Sequence, residues 1–454
     1  MPLKANDYHN HLKLKTKAQI CYFLLFLSVF YVKILPHQFL HYCSVSNCFL
    51  LLNEACHKLF EENVQNVEVI KARNPKLYDK LVENKFIIDD TIDECGNILV
   101  GKEKMVNSDR LYNVVVNTTL DCNLSCWYCY ENRIAGSKLS SGVIEAIKKN
   151  IYLHYETTKF KTLKLSFFGG EPFLYFDGIK QLLDYSNVFC SERGIELIAD
   201  FTTNSTLITS EQINYLKQFR CHFQITLDGG HSSHNKIKVD KITGMDTYAK
   251  TIKTLKEINE KIGKRWVAVR VNFDNRTLRD IEEIIDDIDF LDRRKTYVIL
   301  KKVWQLKTEK VNTEALKNAI QTFLERKFLV DYYFMPKGCV CFAERKNQVL
   351  FNYDGKIFKC TTISKFNDEN ALGKLDMISG KIHWNEEKMK SWYSDMQPSY
   401  CKTCKWFPAC LGICNRQLLV NKDKICTFDA CNLTQKEYLM YLFKYNILKN
   451  ELYK

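Results

Sequence analysis

The hydrophobic and polar positions change their period along the chain. Between residues 110 and 305, short apolar runs typical of buried strands alternate with segments whose apolar residues recur every three or four positions, as in amphipathic helices. The predicted strands are Leu111–Thr118, Leu163–Phe168, Glu196–Thr202, Cys221–Leu227, Trp266–Asn272 and Tyr297–Val303. The predicted helices between them are Ser140–Tyr155, Phe176–Cys190, Ser210–Gln218, Thr247–Ile262 and Thr277–Leu291. This alternation implies parallel strands with right-handed crossovers, and it predicts an α/β fold with a partial (β/α)6 barrel.

The residues before the barrel predict a separate small α+β module at 37–108. The stretch Phe39–Asn53 is expected to form one or two strands around a Ser-Asn turn. Helical spacing is found at Glu54–Glu62 and at Pro75–Glu83, and Lys85–Asp89 is predicted to be a short strand.

Residues 1–36 contain lysines followed by the apolar run Ile20–Val32. This arrangement resembles the start of a signal peptide, but no small-x-small cleavage site follows it. The run is also short for a membrane-spanning helix, which needs about 20 residues. We interpret the segment as a buried helix or as residues upstream of the native start, and not as a membrane anchor.

Composition limits the class of protein. The 454 residues are enough for two or three domains, and the net charge of +13 is spread along the chain. No concentrated basic stretch is interleaved with aromatic residues, so we expect no nucleic-acid partner. The 19 cysteines are an odd number with uneven clustering, which does not fit a secreted disulfide framework. We therefore expect metal-type cysteine clusters in a reducing cytoplasm.

The first cluster is the C-x3-C-x2-C spacing of Cys122, Cys126 and Cys129, directly after the first barrel strand. Thiolates bind zinc and iron–sulfur iron, and either site needs four ligands, yet the next cysteine in the chain is Cys190. The trio therefore suggests a four-iron cluster with one iron open to an outside ligand. A zinc knuckle that lacks one ligand, or three unrelated cysteines, are the alternatives.

With Tyr128 before the last cysteine, the trio resembles the radical S-adenosylmethionine (radical SAM) superfamily. In that family the open iron is chelated by the amino and carboxylate groups of S-adenosylmethionine. One electron from the cluster then cleaves the sulfonium and releases a 5′-deoxyadenosyl radical. The resemblance also implies that Tyr128 belongs to the cofactor site.

Further family motifs follow the other strands in the expected order. The cofactor-binding residues implied by the resemblance are Gly169, Gly170, Glu171, Pro172, Thr203, Asn204, Asp228, Arg270 and Asn272. In the family the Gly-Gly-Glu-Pro segment binds the amino group of S-adenosylmethionine, and Ser205 here replaces a family glycine. Asp228 is the candidate catalytic residue, through contact with substrate or ribose. Alternatively, these segments are only tight turns.

The C-terminal region carries a second cysteine pattern. Its spacings are Cys341-x13-Gly355-x4-Cys360, then Cys401-x2-Cys404-x5-Cys410-x3-Cys414, then Cys431. The pattern resembles the SPASM domain, the auxiliary-cluster domain of radical enzymes that modify peptides and proteins. Asn352–Gly355 is typical of a hairpin turn, which would place Cys360 on the returning strand beside Cys341.

The SPASM resemblance implies two further four-iron clusters. Auxiliary cluster II would be held by Cys401, Cys404, Cys410 and Cys431, with Cys426 as a competitor for the last position. Auxiliary cluster I would be held by Cys341, Cys360 and Cys414, with Cys339 as the candidate fourth ligand. Two structural zinc sites are the alternative. The cofactors implied are three [4Fe–4S] clusters and S-adenosylmethionine.

The domain prediction follows from these patterns. Its segments are the N-terminal segment 1–36, the module 37–108, the radical SAM partial barrel 109–310, a linker helix 311–335, the SPASM domain 336–435 and a C-terminal helix 436–454.

The resemblance implies a cytoplasmic radical SAM/SPASM peptide maturase. It would remove hydrogen from a precursor peptide, draw electrons from an external donor such as flavodoxin or ferredoxin, and use the N-terminal module to recognise a leader peptide. A structural cap is the alternative for that module. The competing functions are an anaerobic sulfatase-maturating enzyme, a small-molecule dehydrogenase of the same superfamily, and a non-enzymatic cysteine-rich nucleic-acid-binding protein.

Overall fold

The computed structural model describes residues 29–89, 91–306, 309–332, 340–394, 398–420, 426, 428 and 431–454. The chain divides into two compact units, Met1–Asn97 with Thr403–Pro408, and Ile98–Lys402 with Ala409–Lys454. Among the helices of the described ranges, none has both the length and the apolar character needed to cross a bilayer.

The first unit contains a three-stranded antiparallel sheet followed by helices. Its elements are β1 (Val29–Leu35), β2 (Gln38–Cys43), β3 (Cys48–Asn53), α1 (Glu54–Glu62), α2 (Val67–Arg73) and α3 (Pro75–Glu83). The predicted strands on either side of the Ser-Asn turn and the two predicted helices are confirmed. Asn53 and Asn74 cap α1 and α3, since their side chains accept hydrogen bonds from Cys56 N and Leu77 N.

Two predictions for this unit are wrong. The end of the apolar N-terminal segment is not a buried helix from Val29 onward, because Val29–Leu35 pairs with β2. Lys85–Asp89 is not a strand. Lys85 has a φ of 59°, and the N–H groups of Phe86 and Ile87 donate back to Leu81 O at the end of α3. Residues 1–28 of the predicted segment lie outside the described residues.

The second unit is built on parallel strands, and all six predicted barrel strands are present. After α4 (Glu94–Val106), which crosses the boundary between the units, the strands are β4 (Leu111–Thr119), β5 (Thr162–Gly169), β6 (Glu196–Thr203), β7 (Arg220–Thr226), β8 (Arg265–Phe273) and β9 (Thr296–Lys302). The helices between them are α5 (Ser141–Thr158), α6 (Phe176–Arg193), α7 (Ser210–Leu216), α8 (His231–Ile237), α9 (Thr247–Lys261) and α10 (Ile281–Asp287). The predicted helix at Thr277–Leu291 is instead a 3-10 turn at Thr277–Asp280 followed by α10.

The barrel sheet is open and longer than predicted. Helix α11 (Thr313–Glu325) ends early, and β10 (Leu329–Tyr332) pairs in parallel with β9, so the prediction of a helix to residue 335 is wrong. On the other side, β11 (Gln348–Phe351) pairs in parallel with β4 and in a hairpin with β12 (Lys356–Phe358), as the Asn352–Gly355 turn predicts. β13 (Gly373–Leu375) and β14 (Ile382–Trp384) extend the sheet to 11 strands in the order 10-9-8-7-6-5-4-11-12-13-14.

Short helices follow this sheet. They are α12 (Glu386–Tyr393), α13 (Ser399–Lys402), α14 (Phe407–Cys410), α15 (Asn415–Val420) and α16 (Gln435–Tyr453). The predicted C-terminal helix is confirmed by α16, whose first turn is closed by a capping box between Thr434 and Glu437.

Alternate residues of the parallel strands face opposite sides of the sheet. Phe201 stacks on Phe223 with the ring centroids 5.1 Å apart and lies outside the lining of a cavity of about 780 Å³, which the adjacent Thr202 and Gln224 help to line. The sheet therefore has a packed aromatic layer and a polar, hollow inner face.

Candidate active site

A cavity of about 170 Å³ lies at the carboxyl ends of the barrel strands. The sequence-predicted residues in its wall are Cys122, Cys126, Tyr128, Cys129, Gly169, Gly170, Thr203, Asn204, Arg270 and Asn272. The structure thus brings residues from the ends of β5, β6 and β8 to the cysteine trio that follows β4, at the edge where α/β barrels place their chemistry.

The loop that carries the trio is fastened on both sides. Ser125 N donates to Val239 O at 2.8 Å, and Lys241 Nζ donates to Cys122 O at 3.0 Å. Within the loop, Cys129 N donates to Cys126 O at 3.2 Å. These contacts hold the loop in the conformation in which all three cysteines line one cavity.

Burial makes two thiols of the trio hard to ionise. Burial raises the pKa of Cys122 to about 12, and burial also raises the pKa of Cys126. Arg133 lies close enough to all three cysteines to oppose this rise in part. Because a metal site takes thiolates, binding must displace these protons.

The residues present fit an iron–sulfur cluster with an outside ligand. Three thiols form an incomplete donor set, and the rest of the cavity wall combines polar side chains at the strand ends with aliphatic and aromatic ones. Asn204 Nδ2 lies 3.8 Å from Cys122 Sγ and donates to Asn123 Oδ1 at 2.9 Å. The Gln305 Oε1 atom is buried in this wall without a hydrogen-bond partner among the described residues.

Gly169 and Gly170 are required by packing of the chain against itself. A Cβ on Gly169, which has a φ of +114°, would lie 2.0 Å from Thr119 O, and a Cβ on Gly170 would lie 1.9 Å from Asp121 O. The glycines therefore allow the second strand to approach the trio loop. Pro172 starts a short 3-10 helix.

Glu171 is placed beside the cavity and not in its wall. Its carboxylate accepts hydrogen bonds from Thr203 Oγ1 at 2.7 Å, Asn204 N at 2.7 Å and Phe173 N at 3.1 Å. Burial raises the pKa of Glu171 to about 7, although these hydrogen bonds oppose the rise. In this arrangement Glu171 orients Thr203 and Asn204, which do line the cavity.

Asp228 is likewise fully buried and connects other residues of the site. Its carboxylate accepts hydrogen bonds from the Tyr128 hydroxyl and from Asn272 N, the latter at 2.8 Å. Lys238 Nζ lies 3.3 Å from Asp228 Oδ2 and donates to Thr226 Oγ1 at 2.7 Å. Asp228 thus fixes the tyrosine of the trio loop to the ends of β7 and β8.

Lys238 was missed by the sequence analysis. Burial would lower its pKa, but Tyr128, Asp228 and Cys126 raise it well above the usual value. The side chain therefore keeps a positive charge in the cavity wall. No local motif marks this lysine, and Tyr128 and Cys126, which also raise its pKa, come from a distant part of the chain.

Gln305 and Trp304 were also missed. Gln305 Nε2 donates to Tyr128 O, which attaches the residues after β9 to the trio loop. Trp304 lines this cavity and also the larger one on the inner face of the sheet.

The larger cavity shares Thr202, Gln224 and Arg270 with the smaller one, so the two have a common wall. Its deeper part contains an ion-pair group in which Lys164 Nζ lies 3.2 Å and His222 Nδ1 3.8 Å from Asp200 Oδ1. Burial lowers the pKa of His222, whose Nε2 has no partner among the described residues. The cavity is thus a polar chamber open to charged or hydrogen-bonding groups.

Three cysteines of the C-terminal pattern are brought together in the second unit. Burial raises the pKa of Cys341 to about 12, and nearby Cys360 and Cys414 add to this rise. Cys360 follows β12, and its Sγ accepts from Thr362 N at 3.4 Å. Cys339, the candidate fourth ligand, lies outside the described residues.

The remaining cysteines are divided between the units. Cys401, Cys410 and Cys431 belong to the second unit, and Cys404 to the first. Burial raises the pKa of Cys431 to about 11, and Trp406 N donates to Cys404 Sγ at 3.4 Å.

Comparison with known proteins identifies one domain of the chain. Residues 116–288 match the family model described as the Radical SAM superfamily. A cysteine-type anaerobic sulfatase-maturating enzyme of Clostridium novyi is 21% identical over 331 residues, which cover 65% of this chain and 85% of that protein. The radical SAM cyclopropyl synthase TigE of Paramaledivibacter caminithermalis is 26% identical over 219 residues, 44% of this chain and 45% of that protein.

The fold is also found among solved structures. The structure described as native anSMEcpe with bound AdoMet and Cp18Cys peptide has a TM-score of 0.57 and 18% identity, covering 75% of this chain and 99% of that one. Together, the cysteine trio at the strand ends, the parallel sheet and these matches show that the chain is an enzyme that carries a radical SAM domain at residues 116–288.

Proposed function

We propose that this radical SAM enzyme is a maturase that modifies a ribosomally made precursor peptide. The observation that carries the proposal is that the cysteine trio and the strand-end residues line one cavity, and that this cavity shares a wall with a polar chamber of about 780 Å³. A chamber of that size suits a peptide side chain held within reach of the cofactor site.

Cys122, Cys126 and Cys129 would hold a four-iron cluster beside S-adenosylmethionine. When bound, these groups supply a 5′-deoxyadenosyl radical that removes hydrogen from the substrate. The C-terminal cysteines would hold two auxiliary clusters, and an external donor such as flavodoxin or ferredoxin would supply electrons.

Residues of this chain would bind and orient the cofactor and the substrate. Arg270 lines both cavities, and its Nε donates to Asn272 Oδ1 at 2.9 Å, which directs the guanidinium along the common wall. Lys238 adds a buried positive charge that can pair with a carboxylate of a bound group. The polar inner face then positions the substrate and limits the entry of water.

Peptide substrates are supported by the similar proteins. The matched anSMEcpe structure contains a bound peptide by its description, and the TigE relative is named a cyclopropyl synthase. The sulfatase-maturating relatives favour a second candidate function, the anaerobic maturation of a sulfatase.

The N-terminal module provides a way to grip a leader peptide. Among the described residues, strand β3 pairs with β2 alone, so its other edge can accept an added strand. Leu51 on this strand is 52% exposed. Holding the leader there would raise the effective concentration of the precursor at the active site.

The radical chemistry is tested by anaerobic reconstitution with iron and sulfide, followed by S-adenosylmethionine and dithionite. We expect 5′-deoxyadenosine from the wild type and none above background from Cys126→Ala. Cys190→Ala is the matched control, because Cys190 is buried in α6 outside the cysteine clusters. Equal 5′-deoxyadenosine from wild type and Cys126→Ala would contradict the proposal.

The two candidate functions differ in their product. Incubation with the short peptide encoded beside the gene should give a mass change without a carbonyl group if the enzyme is a peptide maturase of the crosslinking kind. Incubation with a cysteine-containing sulfatase peptide should give a product that reacts with a hydrazine probe if the enzyme matures sulfatases. Turnover of the sulfatase peptide alone would decide for the second function.

A further inference from the structure

A compact group of potential metal ligands lies in the first unit, outside the radical SAM domain. His41 on β2 and His57 and Glu61 on α1 each offer one ligand atom, and these atoms all lie within 4.8 Å of one another. His57 and Glu61 are four residues apart, so they lie on the same face of the helix. The helix presents this face to the strand that carries His41.

The two imidazoles are already in direct contact. His41 Nε2 and His57 Nδ1 are 3.0 Å apart, close to the separation of about 3.3 Å expected for two ligands on a tetrahedral zinc. Aromatic rings hold the pair, since Phe39 stacks on His57 at 3.7 Å and Tyr31 stacks on His41 at 5.3 Å.

The protonation state of the group suits metal binding. Burial lowers the pKa of His41 to about 3 and also lowers that of His57, so both rings are neutral at pH 7. A neutral imidazole is the form that binds metals. His41 Nδ1 is buried without a partner among the described residues, so the pair is not satisfied by its mutual hydrogen bond alone.

Glu61 supplies the charge that the histidines lack. It is partly buried, and in the described part of the chain its carboxylate makes no hydrogen bond or ion pair. Burial raises the pKa of Glu61, and nearby Lys405 opposes this rise. Lys405 Nζ itself donates to Val29 O at 3.3 Å. The Lys405 ammonium group and a metal ion would therefore compete for the carboxylate of Glu61.

We propose that His41, His57 and Glu61 form a zinc-binding site that fastens α1 to β2, with the fourth ligand position open to water. Two imidazoles and one carboxylate are a donor set used by zinc. Zinc is favoured over iron(II) by the general order of affinities, and copper in a reducing cell is monovalent and prefers sulfur ligands. The site is independent of the radical chemistry, which uses cysteines in the second unit.

The test uses the full-length protein after its cysteine sites have been loaded with iron and sulfide. One equivalent of zinc chloride is added, weakly bound metal is removed on a chelating resin, and zinc is measured by mass spectrometry and by X-ray absorption at the zinc edge. We expect about one zinc per chain, with nitrogen and oxygen neighbours at about 2.0–2.1 Å and no sulfur.

Variants locate the metal. His57→Gln should reduce retained zinc to background, and Glu61→Gln should weaken zinc binding about tenfold or more because one of three ligands is lost. Glu62→Gln is the matched control, since Glu62 is the exposed neighbour on the same helix. Unchanged iron content and 5′-deoxyadenosine formation in each variant show that the chain is folded and that its radical chemistry is unaffected.

Three results would overturn the site. They are loss of all zinc from the wild type on the resin, sulfur neighbours at about 2.3 Å in the absorption spectrum, or equal zinc retention by wild type, Glu61→Gln and His57→Gln. Because the absorption measurement is made on the wild type, the outcome does not depend on how well the variants fold.

Discussion

The carboxylate of Asp228 is fully buried and depends on neighbouring side chains for its charge to be tolerated. The Tyr128 hydroxyl and Asn272 donate hydrogen bonds to it, and Lys238 supplies the opposite charge at 3.3 Å. An isolated buried carboxylate is strongly unfavourable, so the lysine is the residue that allows this network to exist.

We expect Lys238→Met to destabilise the protein by ~3–5 kcal/mol, because it leaves the buried carboxylate of Asp228 unpaired. Lys238→Arg keeps the positive charge and should lose less stability. The double variant Asp228→Asn with Lys238→Met removes both charges and should recover part of the stability lost in Lys238→Met. Chemical denaturation of the anaerobic protein measures these differences. A loss of stability below about 1 kcal/mol, the size typical of exposed ion pairs, would show that the Asp228 carboxylate is not a buried charge that depends on Lys238.

Glu171 gives the site a pH dependence. Burial raises its pKa from 4.5 to about 7, so the folded protein holds this proton more tightly than the unfolded chain does. The stabilisation that comes from protonated Glu171 is therefore fully present below about pH 4.5 and is lost as the pH rises through about 7. The free energy of unfolding changes by ~3 kcal/mol over this range.

We expect the thermal midpoint of the wild type to fall more between pH 5 and pH 8 than that of Glu171→Gln, which has no proton to lose. Glu260→Gln, on the exposed face of α9, should follow the wild-type curve. Parallel curves for wild type and Glu171→Gln would mean that this carboxylate is ionised throughout.

At this scale the sequence predicts what is encoded locally. The cysteine spacing of residues 122–129 places three thiols at one strand end, and the Gly-Gly-Glu-Pro segment follows the next strand. The actual partners of Glu171 and Asp228 could not be predicted, because Thr203 and Tyr128 meet these carboxylates only after separate segments pack together.

Among the secondary-structure elements, the hairpin of β11 and β12 connects the cysteine-rich region to the barrel sheet. Leu350 of β11 and Phe358 of β12 pack with Val115 of β4 and with Phe366 in one buried cluster. Because Cys360 follows β12 directly, the hairpin determines where this candidate ligand lies.

Leu350→Ala should therefore cost ~2–5 kcal/mol of stability through the cavity it leaves. It should also reduce the iron bound near Cys360, which the loosened hairpin no longer holds in place. The control is Leu99→Ala in α4, where the side chain is 38% exposed and the expected change is within about 0.5 kcal/mol. If the iron content stays at the wild-type value despite the loss of stability, the hairpin does not determine metal binding at Cys360.

The strands that the sequence missed share a physical cause. β10 has only four residues, and β11 joins β4 in parallel although more than two hundred residues separate them in the chain. Such short segments show little periodicity of their own, and their pairing partners are set by the tertiary fold. The six barrel strands were predictable because helices of regular spacing separate them.

For the whole molecule, the two compact units divide the predicted chemistry. The radical SAM cysteines lie in the second unit together with Cys341, Cys360 and Cys414. The first unit contains the three-stranded sheet and the His41–His57–Glu61 group. The number of metal atoms bound per chain therefore tests these predicted sites more directly than any single activity.

We expect the anaerobically reconstituted protein to bind about 12 iron atoms per chain, the content of three four-iron clusters. Because each cluster has its own cysteine set, Cys126→Ala, Cys360→Ala and Cys410→Ala should each lose about four iron atoms, while Cys221→Ala, buried in β7 outside these sets, should lose none. Only Cys126→Ala should also abolish 5′-deoxyadenosine formation in the absence of substrate, since no described cysteine of the other two sets lines the cofactor cavity. An iron content near four atoms per chain that depends only on Cys126 would contradict this expectation. It would mean that the protein holds a single cluster and that the C-terminal cysteines bind zinc instead.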